Sequence, residues 1–325
     1  VTPFNIETGK SLKTQKENVH SWSTIISEYM IQYATDNKNF TIVIPAMIGG
    51  SGLHRFQEVH PDRIIDVGIA EQMAVTMSSG LAVGGVDVFT PIYSTFIQRA
   101  YDQVNHDVAR QDLKVIFGID RAGIVGADGE THQGLYDIQL LRHIPNMVIV
   151  HPRNPVNAYK LLQYAFTINT HPLAIRYERG NVFYDFSNGI SNDTFKEPTW
   201  EVISSGSDVV FISFGSILEK VKTAFEENNI NGTIVDAMFL KPFDTNVLEE
   251  IIKLNKPTII YEEATLLGGF GSSILEYYVQ HNYDTMNLHL MGFPDEFIEQ
   301  GTKEEILKEY NLDADAVIKK VKDIL

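Results

Sequence analysis

Between residues 63 and 134 the sequence three times runs an apolar strand into a turn and then into a helix or a glycine-rich loop. A chain that repeats this unit is held to a layered α/β fold with a mostly parallel sheet. The first unit reads Ile64-Ile65-Asp66-Val67-Gly68-Ile69-Ala70-Glu71-Gln72. It predicts a strand over 63–67, a break at Gly68, and a helix from near Ala70 through Ala74, Val75, Met77 and Leu81 to the Gly84-Gly85 pair. Glu71 then falls where a parallel strand ends and a helix begins, the position at which open α/β sheets carry ligand chemistry. A carboxylate in a first helical turn also simply complements the helix dipole. The second unit runs from Phe89 to Gln103, with Ser94 expected as N-cap. In the third, a strand from Val115 passes through Asp120 and Arg121 into a long loop that carries Asp128 and His132 and ends at Gly134. Three adjacent strand ends are thus expected to carry Glu71, Tyr93, Phe96, Arg121, Asp128 and His132.

The rest of the chain extends this pattern. Its 325 residues suffice for two domains with separate cores. Residues 1–18 read as a polar linker, 19–180 as the first domain, 181–198 as a second linker and 199–325 as the second domain. In the first domain, Trp22, Ile25, Ile26, Tyr29 and Tyr33 form one helical stripe and are expected in the core. A strand over 40–44 leads into Pro45-Ala46-Met47-Ile48-Gly49-Gly50-Ser51-Gly52, either a tight surface turn or a close backbone approach to a ligand. Asn154-Pro155 opens a helix as N-cap and first-turn proline. A strand over 173–177 ends in Glu178-Arg179-Gly180. In the second domain, strands near 208–213, 233–236, 257–261 and 287–291 alternate with helices near 216–228, 244–254 and 270–281. Further helices are expected near 303–310 and 314–324. This half shows no convergent set of titratable groups. Gly268-Gly269-Phe270-Gly271-Ser272 opens a helix and offers either an anion site or a packing contact.

The formal charge of −16 argues against a nucleic-acid or anionic-membrane surface. No stretch of about 18 apolar residues is present, so no membrane span is expected. Without cysteine there is neither a disulfide nor a thiol nucleophile, which fits a cytoplasmic location.

The runs IAEQ, YSTFxQRAYDQVxHDVA and IDRAGIVGADGxTHQG resemble the pyrimidine-binding domain of the 1-deoxy-D-xylulose-5-phosphate synthase family, thiamine-diphosphate enzymes of the transketolase superfamily. The likeness continues through RYERG, KPFD, EEATLLGGFGS and GFPDEFIEQGT and covers essentially the whole chain. It implies two doubly wound open-sheet α/β domains, the pyrimidine-binding domain followed by a transketolase C-terminal-like domain. In the family a further N-terminal domain binds the diphosphate and Mg²⁺ through a Gly-Asp-Gly motif, which does not occur here. The resemblance therefore implies the C-terminal two domains of such a synthase, with the Mg²⁺ ligands in an N-terminal domain supplied in cis or as a subunit.

Residue by residue, Glu71 matches the carboxylate that bonds the pyrimidine of the cofactor, and apolar Ile69 beside it would keep that carboxylate poorly hydrated. Phe96 matches the aromatic that stacks on the pyrimidine, and Arg99 and Gln103 would share its helix face. Tyr93, Arg99, Arg121 and Arg179 match contacts to the acceptor's phosphate, where two guanidinium groups at strand ends would fork onto it. Asp128 and His132 match residues that engage the acceptor's oxygens, with His132 as a proton shuttle. The implied reaction joins pyruvate to glyceraldehyde 3-phosphate, releasing CO₂ and 1-deoxy-D-xylulose 5-phosphate, a precursor of isoprenoids, thiamine and pyridoxal. A homodimer is implied as well. Met73 departs from the family, which has His there; altered packing is expected, not loss of cofactor activation. Two other readings stand beside this one: a separately encoded subunit, as in split transketolases or the beta subunits of 2-oxo-acid dehydrogenases, and a non-catalytic paralogue. On each of them the chain alone is expected to be inactive.

Overall fold

In the computed structural model residues 4–9 and 17–325 are described, so the expected linker 1–18 falls partly outside the described residues. The first half opens with strand β1 (Val19–Ser21) and helix α1 (Trp22–Asp36), where Ser21 Oγ caps the helix by accepting from Thr24 N at 3.1 Å. Trp22, Ile25, Ile26 and Tyr29 are buried, as their spacing predicts. Next come β2 (Phe40–Ile44), α2 (His54–Val59), β3 (Ile64–Asp66), α3 (Glu71–Val83) and β4 (Asp87–Tyr93). After β4 the expected regular helix is replaced by a 3₁₀ stretch over Ser94–Ala100, one α-turn α4 (Tyr101–Gln103) and a π-turn over Val104–Ala109. The chain continues through β5 (Val115–Ala122), α5 (Asp137–Arg142), β6 (Val148–Val150), α6 (Pro155–Thr167), β7 (Leu173–Glu178) and β8 (Asn181–Phe183). Asn154 caps α6 with Pro155 at its start.

The second half contains β9 (Glu201–Ser204), β10 (Val210–Ser213), α7 (Ile217–Glu227), β11 (Thr233–Asp236), β12 (Phe239–Lys241) and α8 (Thr245–Leu254). Then follow β13 (Thr258–Thr265), α9 (Phe270–Gln280), β14 (Leu288–Phe293), α10 (Lys303–Glu309) and α11 (Ala314–Ile324). Two open, mostly parallel sheets result, ordered β12-β6-β7-β5-β4-β2-β3 and β14-β13-β10-β11-β9. The central strands of each sheet are almost wholly apolar because helices cover both faces of a parallel sheet.

Three features were not legible in the pattern. Strands β9 and β12 are short antiparallel edges, too brief to show an alternation. β12 comes from the second half yet pairs with β6 of the first sheet, so the two halves share a sheet edge. The polar stretch after Gly180 begins with β8, which pairs antiparallel with β1. One large core cluster accordingly runs through both halves, from Trp22 to Tyr278. A second gathers under β10, β11 and β13 with α7, α10 and α11, and takes in Ile124 and Leu135 from the first half.

The glycine-rich start of α9 is filled from within. Glu262 Oε2 accepts from Phe270 N at 2.8 Å and its Oε1 from Gly271 N at 2.9 Å. A Cβ on Gly269 would lie 2.2 Å from the same carboxylate. An internal carboxylate thus takes the amides that the sequence offered to an anion. Burial pushes the Glu262 carboxyl up to about 7, against those two amide bonds. The folded state therefore holds a proton that the unfolded chain releases near the ordinary glutamate value. On this account its contribution to stability falls as pH rises from about 4.5 through about 7. Glu262→Gln removes that slope. The melting-temperature difference, variant minus native, is expected to become more positive between pH 5 and pH 8 in thermal unfolding followed by circular dichroism.

Candidate active site

Every candidate residue lies at the C-terminal end of a strand of the first sheet. Glu71 follows β3; Tyr93 ends β4, and Phe96 and Arg99 follow it; Arg121 is the last residue but one of β5, and Asp128 and His132 follow it; Arg179 follows β7. The expectation of three adjacent strand ends needs correction, because β2 lies between β3 and β4. The loop after β2 joins the site accordingly. A Cβ on Gly50 would sit 2.2 Å from the Tyr93 hydroxyl, so this glycine permits backbone to lie against the tyrosine. Ala46 and Met47 in this loop have positive φ. Asp66 Oδ1 holds both rims by accepting from Ala46 N at 3.0 Å and Gly68 N at 2.9 Å.

Glu71 is buried in the first turn of α3, which packs on β4 and on the 3₁₀ segment. Its Oε2 lies 3.3 Å from Arg99 Nε, within ion-pair distance but out of line for a hydrogen bond. That oxygen is buried and has no hydrogen-bond partner among the described residues. An unsatisfied buried carboxylate oxygen costs on the order of 1–3 kcal/mol, more when charged. Ile69 does not act as the expected shield, because it is 77% exposed on the outer side of the turn. Met73 is half-exposed and takes no part in the Glu71–Arg99 contact.

The aromatic residues form a continuous ladder. The Arg121 guanidinium lies 4.1 Å over the Tyr93 ring, Tyr93 stacks on Phe96 at 5.6 Å with planes 6° apart, and Phe96 meets His132 edge-on at 5.5 Å. Burial pushes the Tyr93 hydroxyl up to about 12, against the pull of Arg121; Asp128 and Arg179 lie near enough to act on it as well. Arg121 takes a left-handed backbone, φ +61°, which costs a non-glycine residue about 1–3 kcal/mol. Its Nη1 donates to Asp120 Oδ1 at 2.7 Å and to Ser23 Oγ at 3.1 Å, while its Nε is buried without a hydrogen-bond partner among the described residues. Burial pushes the Asp120 carboxyl up to about 6, opposed by that same guanidinium.

The long loop after β5 is tied down at both ends. Gly123 and Gly134 exchange backbone hydrogen bonds at 2.8 Å. Thr95 Oγ1 donates to Thr131 O at 2.9 Å, which joins the loop to the 3₁₀ segment. Arg179 Nε lies 3.1 Å from Asp128 Oδ2, and its Nη1 donates to Val125 O at 2.7 Å.

Three sequence expectations change here. Ser94 does not cap the segment it opens: its Oγ donates to Asp137 Oδ1 at 2.8 Å. Phe96 and Arg99, one 3₁₀ turn apart, still share an edge. Because the winding then changes twice, the α-helical argument does not extend to Gln103. Arg121 and Arg179 do not form a free pair of forks; each is already engaged by its own carboxylate, Asp120 and Asp128. Ser23, Asp120 and Asp66 escaped the sequence reading. Asp120 was visible beside Arg121, as a charged residue inside an otherwise apolar strand, whereas Ser23 is 97 residues away and gave no signal.

Comparison with known proteins places these features. Residues 19–183 match the family model "Transketolase, pyrimidine binding domain", and residues 199–317 match "Transketolase, C-terminal domain". The chain is 43% identical over 328 aligned positions to a 1-deoxy-D-xylulose-5-phosphate synthase of Geobacillus sp. strain WCH70, covering 99% of this chain and 51% of that protein. It is 42% identical to one from Listeria welshimeri, with the same shares of the two chains covered. The chain therefore spans about half the length of the curated relatives it matches. Among solved structures, a split-gene transketolase described as an inactive beta4 tetramer superposes with a TM-score of 0.80 at 24% identity, covering 94% of this chain and 98% of that one. A transketolase from Campylobacter jejuni gives 0.75 at 16% identity over 96% of this chain and 48% of its own. A buried helix-start carboxylate, an aromatic ladder and a loop of glycines thus stand in a frame shared with these proteins, and the chain belongs to the transketolase superfamily, of which it carries the pyrimidine-binding and C-terminal domains.

Proposed function

We propose that the chain is the pyrimidine-binding and C-terminal part of a thiamine-diphosphate-dependent synthase that joins pyruvate to glyceraldehyde 3-phosphate, with loss of CO₂, to give 1-deoxy-D-xylulose 5-phosphate. The observation that carries this reading is the orphaned Glu71 Oε2, a buried acceptor left without a hydrogen-bond partner among the described residues. The residues present fit the pyrimidine end of the cofactor: Glu71 would hydrogen-bond to the ring nitrogen N1′, accepting its N–H in the imino tautomer, Phe96 offers a ring beside it, and exposed Ile69 lies at the same turn. When bound, thiamine diphosphate supplies the electron sink that decarboxylation needs. The part of the relatives that this chain does not span would hold the diphosphate and Mg²⁺.

On this reading Tyr93, Arg99, Arg121 and Arg179 bind the acceptor's phosphate, with Asp120 and Asp128 holding two of those guanidinium groups in place beforehand. Asp128 and His132 meet the acceptor's oxygens. His132 Nδ1 is engaged with Thr131 Oγ1 at 2.9 Å, which leaves Nε2 as the atom that hands over a proton. A homodimer in the cytoplasm completes the reading. Among the described residues no helix is long and apolar enough to cross a membrane.

A second reading, a separately encoded subunit, is favoured by one observation: the split-gene transketolase aligns over 98% of its own length. Both readings are tested by supplying the diphosphate-binding half of a related 1-deoxy-D-xylulose-5-phosphate synthase, with thiamine diphosphate, Mg²⁺, pyruvate and glyceraldehyde 3-phosphate. Product is expected by mass spectrometry from the mixture or fusion, and none from the chain alone. Turnover by the chain alone would remove the need for a partner half. No product from any pairing, with the fusion folded, would leave the non-catalytic paralogue.

A further inference from the structure

The loop that carries Asp128 and His132 belongs to the first half in sequence, yet the second half holds it. Ile124 and Leu135, near its two ends, are buried in the second half's own core. Gln133 Oε1 accepts from Val125 N at 3.0 Å while its Nε2 donates to Glu299 O at 3.2 Å. Glu263 Oε1, on β13, accepts from Ile124 N at 2.8 Å. A Cβ on Gly123 would lie 2.4 Å from that oxygen, so the fit is close.

Lys303 joins this anchorage to the other arm of the site. Its Nζ lies 2.9 Å from Glu263 Oε1 and 3.0 Å from Glu178 Oε2, and its side chain is only 18% accessible. Glu178 ends β7 and immediately precedes Arg179. It is held further by Ser216 N at 2.9 Å and Ser216 Oγ at 2.8 Å. His151 closes the ring. Arg176 Nη1 donates to its Nδ1 at 3.0 Å, which puts the imidazole proton on Nε2, 3.8 Å from Glu178 Oε1. Lys303 is the first residue of α10, the wrong end of a helix for a cation, so the two carboxylates and not the helix keep it there. Burial draws the ammonium's pKa down, but Glu178 and Glu263 outweigh it and hold it above the ordinary lysine value.

We propose that Lys303 is a positioning residue: through Glu178 and Glu263 it clasps the two halves so that Arg179 and the loop bearing Asp128 and His132 face each other across the acceptor site. Lys303 touches neither substrate nor cofactor. Its effect reaches the acceptor through the Arg179–Asp128 pair and leaves Glu71, which follows β3 at the far edge of the sheet, alone. The acceptor assignment rests on the function proposed above; the clasp itself does not.

Two measurements separate them. In hydrogen–deuterium exchange on the chain, Lys303→Met is expected to speed exchange of the 123–135 amides at least tenfold and Lys303→Arg to restore most of the protection. In the fusion with a diphosphate-binding half, K303M is expected to raise KM for glyceraldehyde 3-phosphate about tenfold or more, with KM for pyruvate within about twofold. Unchanged loop exchange in K303M would overturn the clasp, and so would an equal loss against both substrates. If the native fusion makes no product, the function falls while the exchange result still decides the clasp. Should K303M fail to fold, K303M/E178Q/E263Q leaves no unpaired charge and is read by the same two criteria.

Discussion

Glu71→Gln in the assembled enzyme is expected to lower kcat for product formation by roughly 10²–10⁴-fold, the range in which a positioned acid–base group acts. The fold argues for a loss of chemistry and not of structure. Glutamine keeps the shape of the side chain. Arg99, the one charged partner in contact among the described residues, is half-exposed, so water can take over its Nε. Among the described residues the carboxylate's Oε2 has no hydrogen-bond partner to lose. The melting temperature is therefore expected to stay within about 3 °C of the native value, an effect of about 1 kcal/mol or less. Steady-state assay and thermal unfolding of the same preparation check both halves of the claim. A kcat within tenfold of native would take Glu71 out of the proton-handling role, and a large drop in melting temperature would make it a structural residue.

How much of this was open to reading in the sequence differs from element to element. The strand over 40–44, the helix opened by Asn154-Pro155 and the last helix over 314–324 stand where the pattern puts them, because each is long or capped enough for local propensity and burial to agree. The segment after β4 defeated the pattern. Its residues read as a helix, but Ser94 is drawn to Asp137 and Thr95 to Thr131, and such tertiary bonds override local winding. The strand ends that carry chemistry were legible one by one, since a charged residue at the end of an apolar run is visible without coordinates. Their order was not. Nothing local says that β2 slips between β3 and β4, or that the second half lends β12 to the first sheet. For the same reason the second half gave no sign of a convergent charged cluster, although Glu263 and Lys303 form one with Glu178. That cluster draws on both halves, and neither half shows it alone.

Arg176→Met is expected to cost this chain about 3–5 kcal/mol, the penalty for stripping one partner from a buried ion pair. Arg176 is 1% exposed and Asp137 fully buried. The guanidinium donates through Nε and Nη2 to both oxygens of Asp137, through Nη1 to His151 Nδ1, and lies 5.6 Å over the Phe214 ring. Methionine fills part of the volume but leaves a carboxylate in the core with, among the described residues, only the Ser94 hydroxyl, 2.8 Å away, as hydrogen-bond donor. The melting temperature should fall by roughly 10 °C, at about 2–4 °C per kcal/mol for chains somewhat shorter than this one. Arg176→Met/Asp137→Asn removes the stranded charge as well, and most of the loss should return. If the double variant melts as low as the single one, shape and not charge holds this part of the core. The effect should also reach the site, because Ser94 begins the segment that presents Phe96 and Arg99. In the single variant the amides of residues 94–100 should exchange faster even at temperatures where the fold is intact, and in the double variant they should slow again.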